Sequence, residues 1–245
     1  MSTGIWSAVS GAVGQSAALE VAANNIANAS TPGFRADRAV FRQELARVMS
    51  TDNSTRSLRY SVVRSVEPDL ESGTIQHTGR NLDAAIRGKD GFFVVSTAQG
   101  ERYTRAGSVR LTADGRVTTP EGHAYLGPDR RPLRVTPDAT DVSIGPDGAL
   151  NVNGEPTSRF LFASFDNPTR LEKDGNVLLR GTAAAGPARV ANVELEAGAL
   201  EMSNSSALAG MTSMVTATRQ FDMLARVIEA FSNVDRKAAT DIMRR

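Results

Sequence analysis

The chain has 245 residues, 40% of them apolar, enough for one large domain or two small ones with a buried core. A formal net charge of +1 sets up no global field toward nucleic acid or a membrane surface. The absence of cysteine excludes disulfides, thiolate metal sites and cysteine nucleophiles, and an aromatic content of 5% is thin for a tightly packed enzyme.

The opening run MSTGIWSAVSGAVG has no Lys or Arg ahead of its apolar residues, so it does not read as a secretory signal. No stretch of about 18 apolar residues reads as a membrane span. The chain is expected to be either cytoplasmic or exported with its N-terminus intact. All ten prolines lie between Pro32 and Pro187. Proline costs about 3 kcal/mol inside a helix, so long helices are predicted at both ends and excluded from much of the middle.

The N-terminal helix carries a 4-3 seam of Ile5, Val9, Ala12, Ser16, Leu19, Ala23 and Ile26. Up to residue 34 its only charged side chain is Glu20. A lone surface helix carries charge on its outer face, so protein is expected to cover most of this one. Gly4, Gly11 and Gly14 each weaken it by roughly 1 kcal/mol relative to alanine, which leaves it marginal on its own. It ends in Asn24-Asn25-Ile26-Ala27-Asn28, then Thr31-Pro32-Gly33-Phe34. Asparagine tolerates a left-handed C-cap, Pro32 forbids continuation, Gly33 permits a sharp turn and Phe34 supplies an apolar anchor.

Residues 35–75 read as an extended connector, with a polar loop at Thr51–Thr55 and a strand candidate over Tyr60–Val66. The middle then turns β-like. Strands are predicted in Gly91–Thr97, Tyr103–Thr104, Val109–Leu111, Arg116–Thr118, Phe160–Ala163 and Asn176–Leu179. Asp-Gly pairs at 90–91, 114–115, 147–148 and 174–175 supply the positive-φ positions that tight turns need. An antiparallel sheet or a small barrel follows. The C-terminal helix has its own seam of Ala207, Met211, Met214, Thr218, Phe221, Ala225 and Ile228. Beyond it the apolar positions drift to Leu224, Phe231, Ala238 and Ile242, a change of phase. The two seams fit an intramolecular helix hairpin, and the missing N-terminal charges favour intermolecular packing.

The expected fold is therefore α+β, with N- and C-terminal helices forming a coiled-coil-like unit around an inserted, mainly antiparallel β domain. The expected divisions are a helix in residues 1–34, a connector in 35–75, a β-rich outer domain in 76–195 and a second helix in 196–245 that pairs with the first. The expected assembly interface comprises Ile5, Val9, Ala12, Leu19, Ala23 and Ile26 with Met211, Met214, Phe221, Ala225 and Ile228.

Little in the chain reads as chemistry. His77 and His123 lack partners at metal-ligand spacing. Ile86–Asp90 lacks the remainder of a phosphate-binding loop, and no nucleophile elbow occurs. Asp69 and Glu71, beside Pro68 and Gly73, look like a solvated turn. Arg130, Arg131 and Arg134 form a basic cluster without interleaved aromatics, more like a solvated or interface patch than a nucleic-acid site. No catalytic residue, metal or cofactor is expected.

The helix stop also resembles the N-terminal motif of the bacterial flagellar rod and hook protein family, at Asn24, Asn25, Ile26, Ala27, Asn28, Thr31, Gly33 and Phe34. Three further motifs follow in the family's order. They are Asn81–Gly88 with Asp90–Phe93, Tyr103–Ser108 through Asp114-Gly115, and Leu200–Asn204 with Met211–Asp222. Ser205-Ser206 departs from the family's usual Asn-Val after Asn204. Thr218-Arg219-Gln220-Phe221-Asp222 is similar to the proximal-rod type, where the distal type has Gln-Arg-Ala-Tyr-Glu. The resemblance implies a non-enzymatic rod subunit in a helical assembly with copies of itself and other rod proteins. It also implies export by the flagellar type III machinery without signal cleavage, a place in the periplasm-spanning basal body, and neither membrane insertion nor nucleic-acid binding.

Overall fold

The computed structural model describes residues 3–49, 55–136, 139 and 141–242. The chain divides into two units. The first comprises Met1–Ile26, Asp37–Val66 and Ala207–Arg245, and the second Ala27–Ala36 and Glu67–Ser206.

The first unit holds both long helices, α1 (Thr3–Ala27) and α2 (Ala207–Ile242), one in each proline-free end of the chain. It also holds strands β1 (Asp37–Met49) and β2 (Thr55–Pro68), which pair as a two-stranded sheet. The strand candidate at Tyr60–Val66 lies inside β2. Thr51–Ser54, most of the expected polar loop, lie outside the described residues.

α1 stops differently from expectation. None of its asparagines adopts a left-handed conformation; in this stretch Gly33 alone does, with φ +73°. Asn28 is instead locked into a turn, its backbone carbonyl accepting from Thr31 N–H at 3.1 Å and its side-chain oxygen from the Thr31 hydroxyl at 3.3 Å. Asn24 and Asn25 spend their amides on Asp37, at the start of β1. Reversal of the chain falls to the next turn, where glycine has no Cβ to clash.

Among the described residues, the regular structure of the second unit is β, apart from a 3-10 turn at Pro168–Arg170. In chain order its strands are β3 (Ile75–His77), β4 (Ala84–Ile86), β5 (Phe92–Thr97), β6 (Gly100–Thr104), β7 (Arg110–Leu111), β8 (Val117–Thr118) and β9 (Ala124–Tyr125). They continue as β10 (Val142–Ile144), β11 (Ala149–Val152), β12 (Glu155–Arg159), β13 (Phe162–Ser164), β14 (Glu172–Lys173), β15 (Leu178–Arg180), β16 (Arg189–Val190), β17 (Leu195–Ala197) and β18 (Ala199–Glu201). The main sheet runs β14-β15-β6-β5-β9-β8-β7, with β13 also on β5 and β16 on β13. β10-β11-β12 form a meander, while β17 pairs with β4 and β18 with β3. The registers of these pairs are antiparallel. Gly91, Gly115, Gly148 and Gly175 of the four Asp-Gly pairs all take positive φ.

The continuous apolar run of β5 follows from burial on both faces. Side chains alternate along a strand. Phe93 and Val95 accordingly enter one core with Tyr125, Leu150, Phe160 and Phe162, while Phe92 and Val94 enter another with Tyr103, Leu126, Leu161 and Leu179. Phe93 is fully buried, its ring 5.7, 5.8 and 5.2 Å from those of Tyr125, Phe160 and Phe162. Phe93→Ala is expected to lower the stability of this unit by about 3–5 kcal/mol, read as an earlier urea midpoint with unchanged slope.

Candidate assembly site

Within the first unit, α1 and α2 meet at small residues. A Cβ on Gly4 would lie 2.8 Å from Phe231 Cζ, one on Gly11 3.2 Å from Leu224 Cδ1, and one on Gly210 2.6 Å from Ile26 Cγ1. As the α1 position rises from 4 to 26, the α2 position falls from 231 to 210, so the helices run antiparallel. Ala8, Ala22 and Ala217 are buried. Glycine weakens a helix but lets two backbones close until a large side chain on one fills the space left on the other.

The residues of the expected interface have mixed surroundings. Ile5, Ala12, Leu19, Ile26 and Ile228 are half-buried, and Val9, Ala23, Met211, Met214, Phe221 and Ala225 are exposed. Other apolar side chains also face outward: Trp6 and Val13 on α1 are each 63% exposed, and Leu208, Val215, Met223, Val227 and Val234 on α2 are exposed. Large exposed apolar groups in such density are a feature of interaction surfaces.

The helix-stop motif has two jobs. In the first unit, Asn24 donates to the Asp37 carboxylate at 2.7 Å. Asn25 both donates to Asp37 C=O at 2.8 Å and accepts from Asp37 N–H at 2.7 Å. The end of α1 is thereby fixed to the start of β1.

In the second unit, residues 31–36 form a strap on the β body. Gly33 N–H donates to Glu201 C=O at 2.7 Å, and a Cβ on Gly33 would sit 2.2 Å from Ala106 N. Phe34 is fully buried, with Lys173 Nζ 3.9 Å above its ring. Arg35 pairs with Glu201 at 2.7 Å, both almost wholly buried. Ala36 N–H donates to the Asn204 side chain at 2.7 Å, and that side chain donates in turn to the carbonyls of Asp69 (2.9 Å) and Glu71 (3.0 Å). The strap and Leu200–Asn204, both in the second unit, thus form one site.

The intervening motifs join it. Arg105 reaches Glu201 at 3.4 Å and donates to the carbonyls of Gly88 and Lys89. Burial pushes its guanidinium down to about 10, against the opposing pull of Glu201, so it remains charged at neutral pH. Tyr125 donates its hydroxyl to Ala106 C=O at 2.9 Å, and burial pushes that phenol up. Asp83, fully buried, accepts from the Thr78 hydroxyl at 2.7 Å.

Of the residues weighed for chemistry, Asp69, Glu71, Gly88 and Lys89 reach this site through their backbone carbonyls. His77 is exposed and 2.8 Å from Glu196. The Asp69 carboxylate accepts Glu71 N–H at 3.1 Å, as a turn does. Arg130 forks onto Glu101 at 2.9 Å, and Arg131 lies 4.0 Å from Asp129. Among the described residues no group of three or more His, Cys, Asp or Glu converges as metal ligands.

A β body that binds the strap after α1 through the buried cluster of Arg35, Arg105 and Glu201, and helices rich in exposed apolar groups, fit a structural assembly subunit. Comparison with known proteins gives the family. Family models described as flagella basal body rod protein, flagellar hook protein FlgE/F/G D1 domain, and flagellar basal body rod FlgEFG protein C-terminal match residues 5–35, 85–152 and 196–241. The chain is 33% identical to the flagellar basal-body rod protein FlgF of Escherichia coli over 89% of its length and 88% of that relative's. It is 29% identical to FlgF of Caulobacter vibrioides, covering 90% and 89%. It is 30% identical to the flagellar basal-body rod protein FlgG of Bacillus subtilis, covering 91% and 93%. The chain belongs to the flagellar basal-body rod protein family and is FlgF-like, a structural subunit of the rod.

Proposed function

We propose that this subunit polymerises through α1 and α2 in the proximal rod, with the β-rich unit outermost. The observation that carries this reading is the set of exposed apolar side chains on both helices, Trp6, Val13, Met211 and Met223 among them. The helices of one chain, α1 and α2, form the coiled-coil-like unit, shorter than the expected 1–34 and 196–245 because residues 27–36 and 196–206 belong to the β-rich unit, and neighbouring subunits cover the faces it leaves bare. The interface is that of Ile5, Val9, Ala12, Leu19, Ala23 and Ile26 with Met211, Met214, Phe221, Ala225 and Ile228.

Ordering a helix costs roughly 1–2 kcal/mol per residue of backbone entropy. A marginal, glycine-bearing helix recovers that cost where partner surface already exists, so growth is templated at the tip of the assembly. Head-to-tail contacts that do not close on themselves give a filament. Export by the flagellar type III machinery without signal cleavage and assembly across the periplasm complete the reading. Among the described residues no helix is long and apolar enough to cross a membrane. The Thr218–Asp222 run favours the proximal rod, while likeness to FlgG relatives supports a distal-rod position as the second reading.

Microscopy of isolated basal bodies carrying a tagged subunit tests the position. Label at the membrane-proximal end of the rod is expected, and label restricted to the distal end would replace the reading with the second one. Leu19→Asp on α1 tests the interface. Burying a lone carboxylate costs several kcal/mol. Incorporation into basal bodies, measured by immunoblot, is therefore expected to fall to about a tenth or less, with the β-rich unit still folded. Normal motility in that strain would count against the interface.

A further inference from the structure

The strap residues are held by a buried charge cluster whose one anion comes from the far end of the β body. Glu201 is 1% exposed, Arg35 3% and Arg105 1%. One Glu201 oxygen accepts from Arg35 Nη2 at 2.7 Å and from Gly73 N–H at 3.0 Å, and the other faces Arg105 Nη1 at 3.4 Å. Arg105 is further held by the carbonyls of Gly88 and Lys89, and its guanidinium carbon lies 5.1 Å from the Phe92 ring centroid. Arg105 is therefore fixed by the β body itself. Arg35 is not: Glu201 accepts from its Nη2, while its buried Nε and Nη1 have no hydrogen-bond partner.

Seating the strap therefore buries a second guanidinium beside one already buried. That is tolerable only with the carboxylate in place, since a buried ion stripped of its partner is strongly destabilising. Glu201 lies 166 residues beyond Arg35 and arrives on β18, whose register against β3 sets Glu201 opposite Ile75. The same residue offers its backbone carbonyl to Gly33, so main chain and side chain of one position hold Gly33 and Arg35 of the strap.

We propose that Glu201 is a conditional clasp: the strap of residues 31–36 closes onto the β body only once β18 has docked, so closure at the N-terminal motif reports that the C-terminal part of the body is complete. An apolar pocket would let the strap collapse before β18 arrives. A pocket that already holds Arg105 repels a strap bearing a second cation, Arg35, until the Glu201 carboxylate is in place.

Backbone amide exchange on the full chain tests this, comparing wild type, Glu201→Gln, and a triple variant Arg35→Met, Arg105→Met, Glu201→Leu. The reporters are Gly33 and Ala36 N–H in the strap and Val94 and Leu126 N–H in the sheet, the latter pair bonded to Leu161 C=O and Val94 C=O at 3.1 and 3.0 Å. In Glu201→Gln, Gly33 and Ala36 are expected to exchange about 100-fold faster while Val94 and Leu126 stay unchanged. In the triple variant, where no charge is stranded, protection at Gly33 and Ala36 is expected to return. Unchanged strap exchange in Glu201→Gln overturns the proposal. So does equal acceleration or loss of the sheet amides, which would make strap and sheet one cooperative unit. A triple variant as open as Glu201→Gln overturns it as well.

Discussion

Gly33→Ala is expected to abolish motility while leaving the core of the β-rich unit folded. The substitution fails twice over. Its φ of +73° is a conformation that costs a residue with a Cβ about 1–3 kcal/mol. The new methyl would also stand 2.2 Å from Ala106 N and 2.4 Å from Ala106 Cα, backbone atoms of the β body that cannot swing aside. Overpacking of this kind adds about 1–3 kcal/mol. The strap therefore leaves its seat, and Phe34 and Arg35 leave with it. Swim-plate assays give the phenotype, and near-ultraviolet circular dichroism of the purified chain checks that the aromatic core around Phe93 survives. Motility at wild-type level would show that strap seating is dispensable.

Trp6→Asp is expected to be silent in the isolated chain and severe in the cell. Trp6 is 63% exposed, so removing its indole should change the stability of the isolated chain by no more than about 0.5 kcal/mol. In an assembled interface a tryptophan at the centre of a covered patch contributes about 2 kcal/mol or more, and a carboxylate in its place adds a desolvation cost. Incorporation into the rod should fail. Trp6 is also the chain's single tryptophan. Its emission should be that of a solvated indole in dilute solution and shift to the blue when the subunit is incorporated. An unshifted emission in assembled material would remove Trp6 from the interface.

Much of the architecture was legible because its signals are local. Proline fixes where helices cannot be, and α1 and α2 fall in the proline-free ends. Asp-Gly marks positive φ, and all four such glycines adopt it. The doubly buried β5 reads directly from Gly91–Thr97 as an unbroken apolar run. What escaped is what locality cannot carry. Small residues such as Gly4 and Gly11 announce that backbones can come close, but not that Phe231 and Leu224 fill the space beside them or that Gly210 receives Ile26. Asn24 and Asn25 read as capping residues because that is what an isolated asparagine does at a helix end. Their use against Asp37 depends on where β1 begins.

The charge cluster was hidden for a different reason. Arg105 and Arg35 lie 96 and 166 residues before Glu201 along the chain. Each alone looks like one more surface charge in a chain with 28 basic and 27 acidic residues. Glu201 and Arg105 sit within motifs of the family resemblance, but a motif does not say which of its members touch.

The hydrogen bond from Asp69 N–H to Ala36 C=O, 2.7 Å long, means that the chain returns from the β1–β2 hairpin to the place it left. An excursion whose two ends are pinned together behaves as a tether of adjustable length. Residue pairs added to or removed from both strands change its reach by about 3.3 Å per residue of strand and disturb neither the strap nor the β body. Doubling such a loop costs only about 0.6 kcal/mol in closure entropy. The β1–β2 excursion is therefore a part of this subunit whose length can change at little cost in closure entropy.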